Sequence, residues 1–208
     1  MTTPLFPPYQ SIKGFPINTP TSKLSVEILI SPAVAAADMI TLMDLPLIEK
    51  PEIRIYGKVC RQQRNVGFFA APGVPGYKYS GQQTTVTDIA QHPILQRYLD
   101  LINDVTGGSF NGVLVNLYKD GTQYISAHSD DERGLDDAVG VASISFGATR
   151  TFRIRDKATK AIVVDVQHEA GQMMVMSGAF QREYTHEIPV QKRIRQPRIS
   201  LTFRRHIS

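Results

Sequence analysis

The sequence predicts an α+β fold in which helices in the first half precede a β-sandwich or jelly roll in the second. Three observations carry that expectation. Two segments before residue 110 have helical punctuation and apolar spacing, a series of short strand-like runs follows Phe110, and the last of these alternates strictly between polar and apolar residues.

Residues 1–21 are proline-rich and predict an extended or disordered segment, which places the folded domain at 22–208. Val26 to Ile30 reads as a strand. Ser31-Pro32 then supplies an N-cap and a first helical position for the Ala-rich helix that runs to Met43. A second helix starts at His92-Pro93, carries Ile94, Leu95, Tyr98, Leu99, Ile102 and Val105 on one stripe, and stops at Gly107-Gly108. Between the helices, Tyr56 to Gly81 is rich in Gly, Pro and aromatic residues. It is too aromatic for a flexible linker, and is expected to form a surface lid.

After Phe110 the strand-like runs are Val113–Tyr118, Ala142–Phe146, Thr151–Arg155, Ala161–Val166, Gln172–Met176 and Arg198–Phe203. The domain therefore divides into helices and lid over 22–110 and a sheet core over 111–208. No internal repeat is visible.

The chain has 208 residues, enough for one sizeable core, and a net charge of +4 that suits a phosphate-bearing partner without requiring one. Lys192, Arg193, Arg195, Arg198, Arg204, Arg205 and His206 crowd the C-terminal segment, and those not turned inward can meet a phosphate backbone. The single cysteine, Cys60, excludes an intramolecular disulfide and fits a reducing compartment, which predicts an intracellular protein of nucleus or cytoplasm. The N-terminus lacks the basic and apolar regions of a secretory signal, and no apolar run is long enough to span a bilayer, so no membrane association is expected.

His128-Ser-Asp130 and the later His186 carry metal-binding chemistry. His128 and Asp130 are two apart and share one side of an extended chain, and two imidazoles with one carboxylate leave open positions on the far side of a metal, an arrangement suited to Fe(II). Arg198, Ser200, Thr202 and Arg204 alternate with Ile199, Leu201 and Phe203, so one face of the last strand is polar and basic. A buried basic face needs an anion. His92, His168 and His206 fit no part of this constellation and are expected at the surface or at caps.

The order Asn116-x-Tyr118, His128-x-Asp130, His186, Arg198-x5-Arg204 resembles the AlkB family of Fe(II)/2-oxoglutarate dioxygenases. The stretches His128-Ser-Asp-Asp-Glu132, Ser145-Phe-Gly-Ala-Thr-Arg-Thr-Phe152 and Pro197-Arg-Ile-Ser-Leu-Thr-Phe-Arg204 are similar to its nucleic-acid alkylation-repair branch. With weaker similarity at Tyr56-Gly-Lys58 and Tyr77-Lys-Tyr-Ser-Gly81, the likeness covers roughly the last three-quarters of the chain. It narrows the core to a double-stranded β-helix with the helices packed on it.

The resemblance implies Fe(II) on His128, Asp130 and His186, and 2-oxoglutarate held by Asn116, Tyr118, Arg198, Thr202 and Arg204. Arg198 suits the far carboxylate, because a guanidinium offers two parallel hydrogen bonds. Arg204 lies six residues further, roughly 20 Å at strand rise, and suits the iron-proximal end or the substrate pocket. Substrate contacts are implied for Tyr56, Gly57 and Lys58 in a finger hairpin, for Tyr77, Lys78 and Tyr79 in a facing strand, and for Asp131 beside a cationic base. Each has a plainer reading: lid or core aromatics for the tyrosines, a solvated acidic turn for Asp131.

The implied function is oxidative demethylation of bases such as 1-methyladenine and 3-methylcytosine in alkylated DNA or RNA by a monomer, with release of succinate, carbon dioxide and formaldehyde. The alternative is a hydroxylase or demethylase of a protein or small molecule using the same cofactors. A catalytically silent binding module stands third.

Overall fold

A computed structural model describes residues 14–207 except Tyr56, Tyr77, Ser80, Gly81, Thr84 and Arg133, and for Ile55, Lys78, Tyr79, Gln82 and Gln83 it describes the backbone alone. In chain order the elements are β1 (Gly14–Asn18), β2 (Ser22–Ile28), α1 (Pro32–Met43), β3 (Glu52–Ile55), β4 (Lys58–Arg61), β5 (Asn65–Ala70), β6 (Lys78–Tyr79), β7 (Gln82–Gln83), β8 (Val86–Asp88) and α2 (Pro93–Thr106). They continue with β9 (Gly112–Tyr118), β10 (Ile125–His128), β11 (Val141–Gly147), β12 (Arg150–Asp156), β13 (Ile162–His168), β14 (Gln172–Gly178), α3 (Phe180–Glu183), β15 (Tyr184–Ile188) and β16 (Arg198–Arg204).

Among the described residues an eight-stranded sheet runs in the order β1-β2-β14-β11-β16-β9-β5-β8, and a four-stranded sheet in the order β10-β15-β12-β13. Every pairing is antiparallel except β5 with β8. The strands cross from the large sheet to the small one at Gly147, which has φ +77° and sits where a Cβ would lie 2.4 Å from the Pro197 carbonyl oxygen. Only glycine fits there without displacing backbone.

Alternation in the strands separates two interiors. On one face of the large sheet Val113, Val115, Leu117, Ala142, Ile144, Phe146, Ile199, Leu201 and Phe203 pack against Ala35 and Leu42 of α1 and Leu95, Tyr98 and Ile102 of α2. Burying a ring such as Phe146 completely stabilises the fold by about 1.5–3 kcal/mol. The opposite face meets the small sheet, where Tyr118, Val141, Met174 and Met176 join Phe152, Ile154 and Ile188. The result is a sheet-rich, jelly-roll-like sandwich with few helices.

The helices follow their punctuation. Ser31 Oγ accepts the Val34 N–H at 3.3 Å, and Gly107 ends α2 in the left-handed conformation at φ 64°. The lid expectation needs correction within its span, because Asn65–Ala70 is buried throughout and is the β5 strand of the large sheet, hydrogen-bonded to β9. Val66, Phe68 and Phe69 gain more from burial than a surface loop would give them. Residues 14–18, within the segment expected to be extended or disordered, form the edge strand β1 on β2. The strand-like runs read from the sequence do not include β10 or β15, whose short polar segments are strands because β15 pairs with both β10 and β12.

Candidate active site

The two sheets enclose a cleft lined by Arg64, Leu114, Asn116, Tyr118, Ile125, His128, Asp130, Ser143, Phe152, His168, His186, Ile188, Arg198, Ser200, Thr202 and Arg204. Most of its residues come from the inward face of β9, β11 and β16 on one side and from β10, β12 and β15 on the other, with His168 of β13, Arg64 before β5 and Asp130 after β10 completing the lining. Arg198 pairs in register with Tyr118 and Ser200 with Asn116, so the polar face of β16 lies beside the polar face of β9.

His128 and His186 are direct partners across the β10–β15 ladder. Residues directly opposite on an antiparallel pair share a face, which sets the imidazoles together at 4.3 Å between ring centres. Asp130, just beyond the end of β10, completes the group: its Oδ1 is 3.7 Å from His128 Nε2 and its Oδ2 is 3.8 Å from His186 Nε2. One ligand atom from each of the three lies within 4.8 Å of the others.

Neighbouring bonds aim these groups. His128 Nδ1 donates to the Ser126 carbonyl at 2.9 Å, leaving Nε2 bare toward Asp130. The His186 ring stacks on Phe152 at 5.1 Å and 17°. The Asp130 backbone N–H donates to Gln181 Oε1 at 2.9 Å, and Ser129 Oγ donates to the Tyr184 carbonyl at 2.9 Å, so the loop after β10 is tied to α3 and the start of β15.

The electrostatics give each ligand the protonation state a metal requires. Burial lowers His186 to about 3, with repulsion from His128 adding to it. Burial also lowers His128, against the pull of Asp130. For Asp130 burial acts to raise the carboxyl, but the Arg204 guanidinium and the two imidazoles outweigh it and the net shift is downward. Two neutral imidazoles and one ionised carboxylate fit a divalent iron, which His128, Asp130 and His186 would hold beside the cleft.

Three guanidinium groups line the same cleft against a single carboxylate. Arg204 is ion-paired to Asp130. Arg64, from the turn before β5, donates from Nε to Asn116 Oδ1 at 2.6 Å. With its oxygen engaged, Asn116 has its amide nitrogen left for an acceptor in the cleft. Arg198 is 2% exposed and its neighbours are Ser145 Oγ at 2.9 Å, His168 Nδ1 at 3.1 Å and the Tyr118 ring at 5.5 Å. Burial lowers it to about 10, which still leaves it charged at neutral pH. No carboxylate pairs with it among the described residues. A buried cation so placed requires an anionic ligand.

The structure thus brings His128, Asp130, His186, Asn116, Tyr118, Arg198, Thr202 and Arg204 to one cleft. Asp131 is not among the lining residues; it is exposed and ion-paired with Lys157 Nζ at 2.8 Å. Gly57 and Lys58 lie in the β3–β4 hairpin, whose register pairs Ile55 with Lys58 across a two-residue turn with Gly57 at φ 79°. Tyr56 and Tyr77 lie outside the described residues, as do the side chains of Lys78 and Tyr79, whose backbone pairs with β7.

Two of the remaining histidines need correction. His168 is fully buried in the cleft wall and His206 is buried with its ring 4.9 Å from Phe68, where surface or capping positions are expected. His92 does stand at the N-cap of α2. Arg64 escapes notice in the sequence because nothing in Arg61-Gln-Gln-Arg64 distinguishes it from a solvated polar turn.

A model of the 2OG-Fe(II) oxygenase superfamily matches residues 25–204. DNA oxidative demethylase ALKBH2 of Mus musculus is 36% identical over 161 residues, covering 74% of this chain and 66% of the relative. The Homo sapiens alpha-ketoglutarate-dependent dioxygenase alkB homolog 3 is 38% identical over 121 residues, covering 54% of this chain and 42% of its own. The chain spans between 56% and 66% of the length of the ALKBH2 relatives it matches. Among solved structures, that of OsALKBH1 superposes with a TM-score of 0.58 over 91% of this chain and 100% of its own, at 17% identity, a likeness of fold alone.

Proposed function

The chain belongs to the 2OG-Fe(II) oxygenase superfamily, and from that premise we propose that it oxidatively demethylates N-alkylated bases in DNA, such as 1-methyladenine and 3-methylcytosine. The observation that carries the chemistry is the buried, anion-deficient Arg198 in the same cleft as the His128, Asp130 and His186 triad. The named relatives, DNA oxidative demethylases and an alpha-ketoglutarate-dependent dioxygenase, support the choice of substrate. RNA carrying the same methylated bases is the second polymer proposed as substrate.

Bound Fe(II) and 2-oxoglutarate supply oxygen activation, with release of succinate and carbon dioxide and hydroxylation of the N-methyl group, whose product sheds formaldehyde. His128, Asp130 and His186 hold the metal. Arg198 takes the far carboxylate of 2-oxoglutarate through paired N–H groups, with Asn116, Tyr118 and Thr202 adding polar contacts. Arg204 is assigned to the iron-proximal end, since it neutralises the Asp130 carboxylate there.

The finer architecture proposed is a double-stranded β-helix in which α1 and α2 brace the large sheet, with the β3–β4 hairpin and the Tyr77-Lys78-Tyr79 strand acting on nucleic acid. A base must leave its stack to reach the cleft, and an exposed hairpin with a two-residue turn can occupy the gap with Tyr56. Lys58 and the exposed Lys192, Arg193 and Arg195 supply positive charge for phosphates. Asp131 reaches a cationic base once it releases Lys157. The working form is a monomer in the nucleus or cytoplasm. No helix among the described residues is long and apolar enough to cross a membrane.

The discriminating experiment is a substrate panel under identical iron, 2-oxoglutarate and oxygen: oligonucleotides bearing 1-methyladenine or 3-methylcytosine against N-methylated lysine peptides. Mass loss of one methyl group from the oligonucleotides alone is the expected result. Methyl loss from the peptides alone would transfer the assignment to a protein substrate.

A further inference from the structure

His168 closes β13 and is entirely buried. Its Nε2 is 3.1 Å from the Gln172 carbonyl, and its Nδ1 is 3.1 Å from Arg198 Nη2. A carbonyl can only accept and a guanidinium can only donate, so both contacts require the same species: a neutral imidazole with hydrogen on Nε2 and a bare Nδ1. Burial and then the Arg198 charge hold the imidazole down to about 3, so it stays neutral across the working range of pH. Phe152 meets the ring edge-on at 6.2 Å and 84°.

Arg198 is fixed from two directions. Its Nε donates to Ser145 Oγ at 2.9 Å and one Nη2 N–H donates to His168. Three N–H groups remain, two on Nη1 and one on Nη2, and the edge between those nitrogens is the one that forms two parallel bonds to a carboxylate. Ser145 and His168 engage Nε and Nη2, the two nitrogens of one side of the guanidinium, and the Tyr118 ring lies 5.5 Å from its centre. Nothing in the iron triad accounts for His168.

We infer that His168 is a positioning residue for the cosubstrate, holding the Arg198 guanidinium so that its free edge receives the far carboxylate of 2-oxoglutarate. The inference rests on the reading of the cleft as a 2-oxoglutarate site. It makes a distinct demand: His168 matters for ligands that carry a far carboxylate and not for those that lack one.

The experiment is calorimetric titration of Mn(II)-loaded, oxygen-free protein with 2-oxoglutarate and with 2-oxobutyrate, which keeps the keto-acid end but has no far carboxylate. His168→Leu should weaken 2-oxoglutarate roughly tenfold, as loss of a charge-assisted contact does, and leave 2-oxobutyrate unchanged. His168→Gln, which keeps an acceptor oxygen, should recover most of that loss. Unchanged 2-oxoglutarate affinity in His168→Leu, or equal loss for both ligands, would overturn the positioning role. Wild-type protein with no preference for 2-oxoglutarate would overturn the cosubstrate reading itself. Nitrogen-15 NMR of the wild-type imidazole gives a second test: the Nε2–H tautomer at pH 6 is expected, and an imidazolium or the opposite tautomer overturns the inference.

Discussion

Arg204 donates directly to Asp130 Oδ1 in the buried wall of the cleft, where their side chains are 4% and 1% exposed. The carboxylate assigned to the metal therefore has a counter-charge of its own. Removing one partner of a buried pair leaves the other uncompensated, which costs about 3–5 kcal/mol. Arg204→Met is expected to lower the stability of metal-free protein by that order, and by clearly less once a divalent metal sits beside Asp130. Urea denaturation with and without Mn(II) measures both, and equal losses in the two forms would show that the pair does not compensate the ligand.

Arg198→Lys keeps a positive charge but loses the planar fork. An ammonium cannot give two parallel bonds to a carboxylate, so 2-oxoglutarate binding should fall roughly 10- to 100-fold, by about 1.4–2.8 kcal/mol, with oligonucleotide affinity little changed. Titration of the iron-loaded variant with each ligand separates the two effects. Unaltered 2-oxoglutarate affinity would remove Arg198 from the cosubstrate site.

Acid stability follows from histidines the proposed chemistry does not protonate. In the folded chain burial lowers His168 to about 3 and His206 to about 4, against an ordinary value of 6.5. A depressed imidazole binds its proton more readily in the unfolded chain, so its neutral form favours folding fully above pH 6.5, and that contribution is lost as pH falls toward 4 and 3. The urea midpoint should decline through this window, and His206→Phe should flatten the decline between pH 6.5 and 4. A wild-type midpoint that stays level across those pH values would contradict the buried, neutral assignment.

Tyr56→Ala addresses the hairpin. If this residue fills the space left by an extruded base, its loss should reduce demethylation in duplex DNA severalfold more than in single strands, where unstacking costs less. Paired assays on one sequence, single-stranded and annealed, provide the comparison. Equal losses would assign the ring to packing.

The His128–Asp130 pair and the basic face of β16 are legible in the sequence from their spacing, and His186 joins them through the family resemblance. His128 and Asp130 are two residues apart, and Arg198 to Arg204 alternate along one strand. The helices are equally plain, since Ser31-Pro32 and Gly107 punctuate them. What escapes is what long-range pairing decides. β10 and β15 are short and polar, and become strands through long-range ladders, β10 on β15 with His128 opposite His186, and β15 also on β12. β5 lies inside a Gly-rich stretch whose aromatic residues read as lid until β9 is seen beside it. Arg64 and His168 reach the cleft from 52 residues before Asn116 and 30 before Arg198, separations that no local pattern records.

The central claim is that one cleft couples the oxidation of 2-oxoglutarate to removal of a methyl group from a nucleic-acid base. The most direct measurement is the stoichiometry of a single reaction on an oligonucleotide carrying 1-methyladenine, in which demethylated base, formaldehyde and succinate are counted together. Equal amounts of all three are predicted, with none formed by His186→Ala. Succinate accumulating while the methylated base stays intact would contradict the claim.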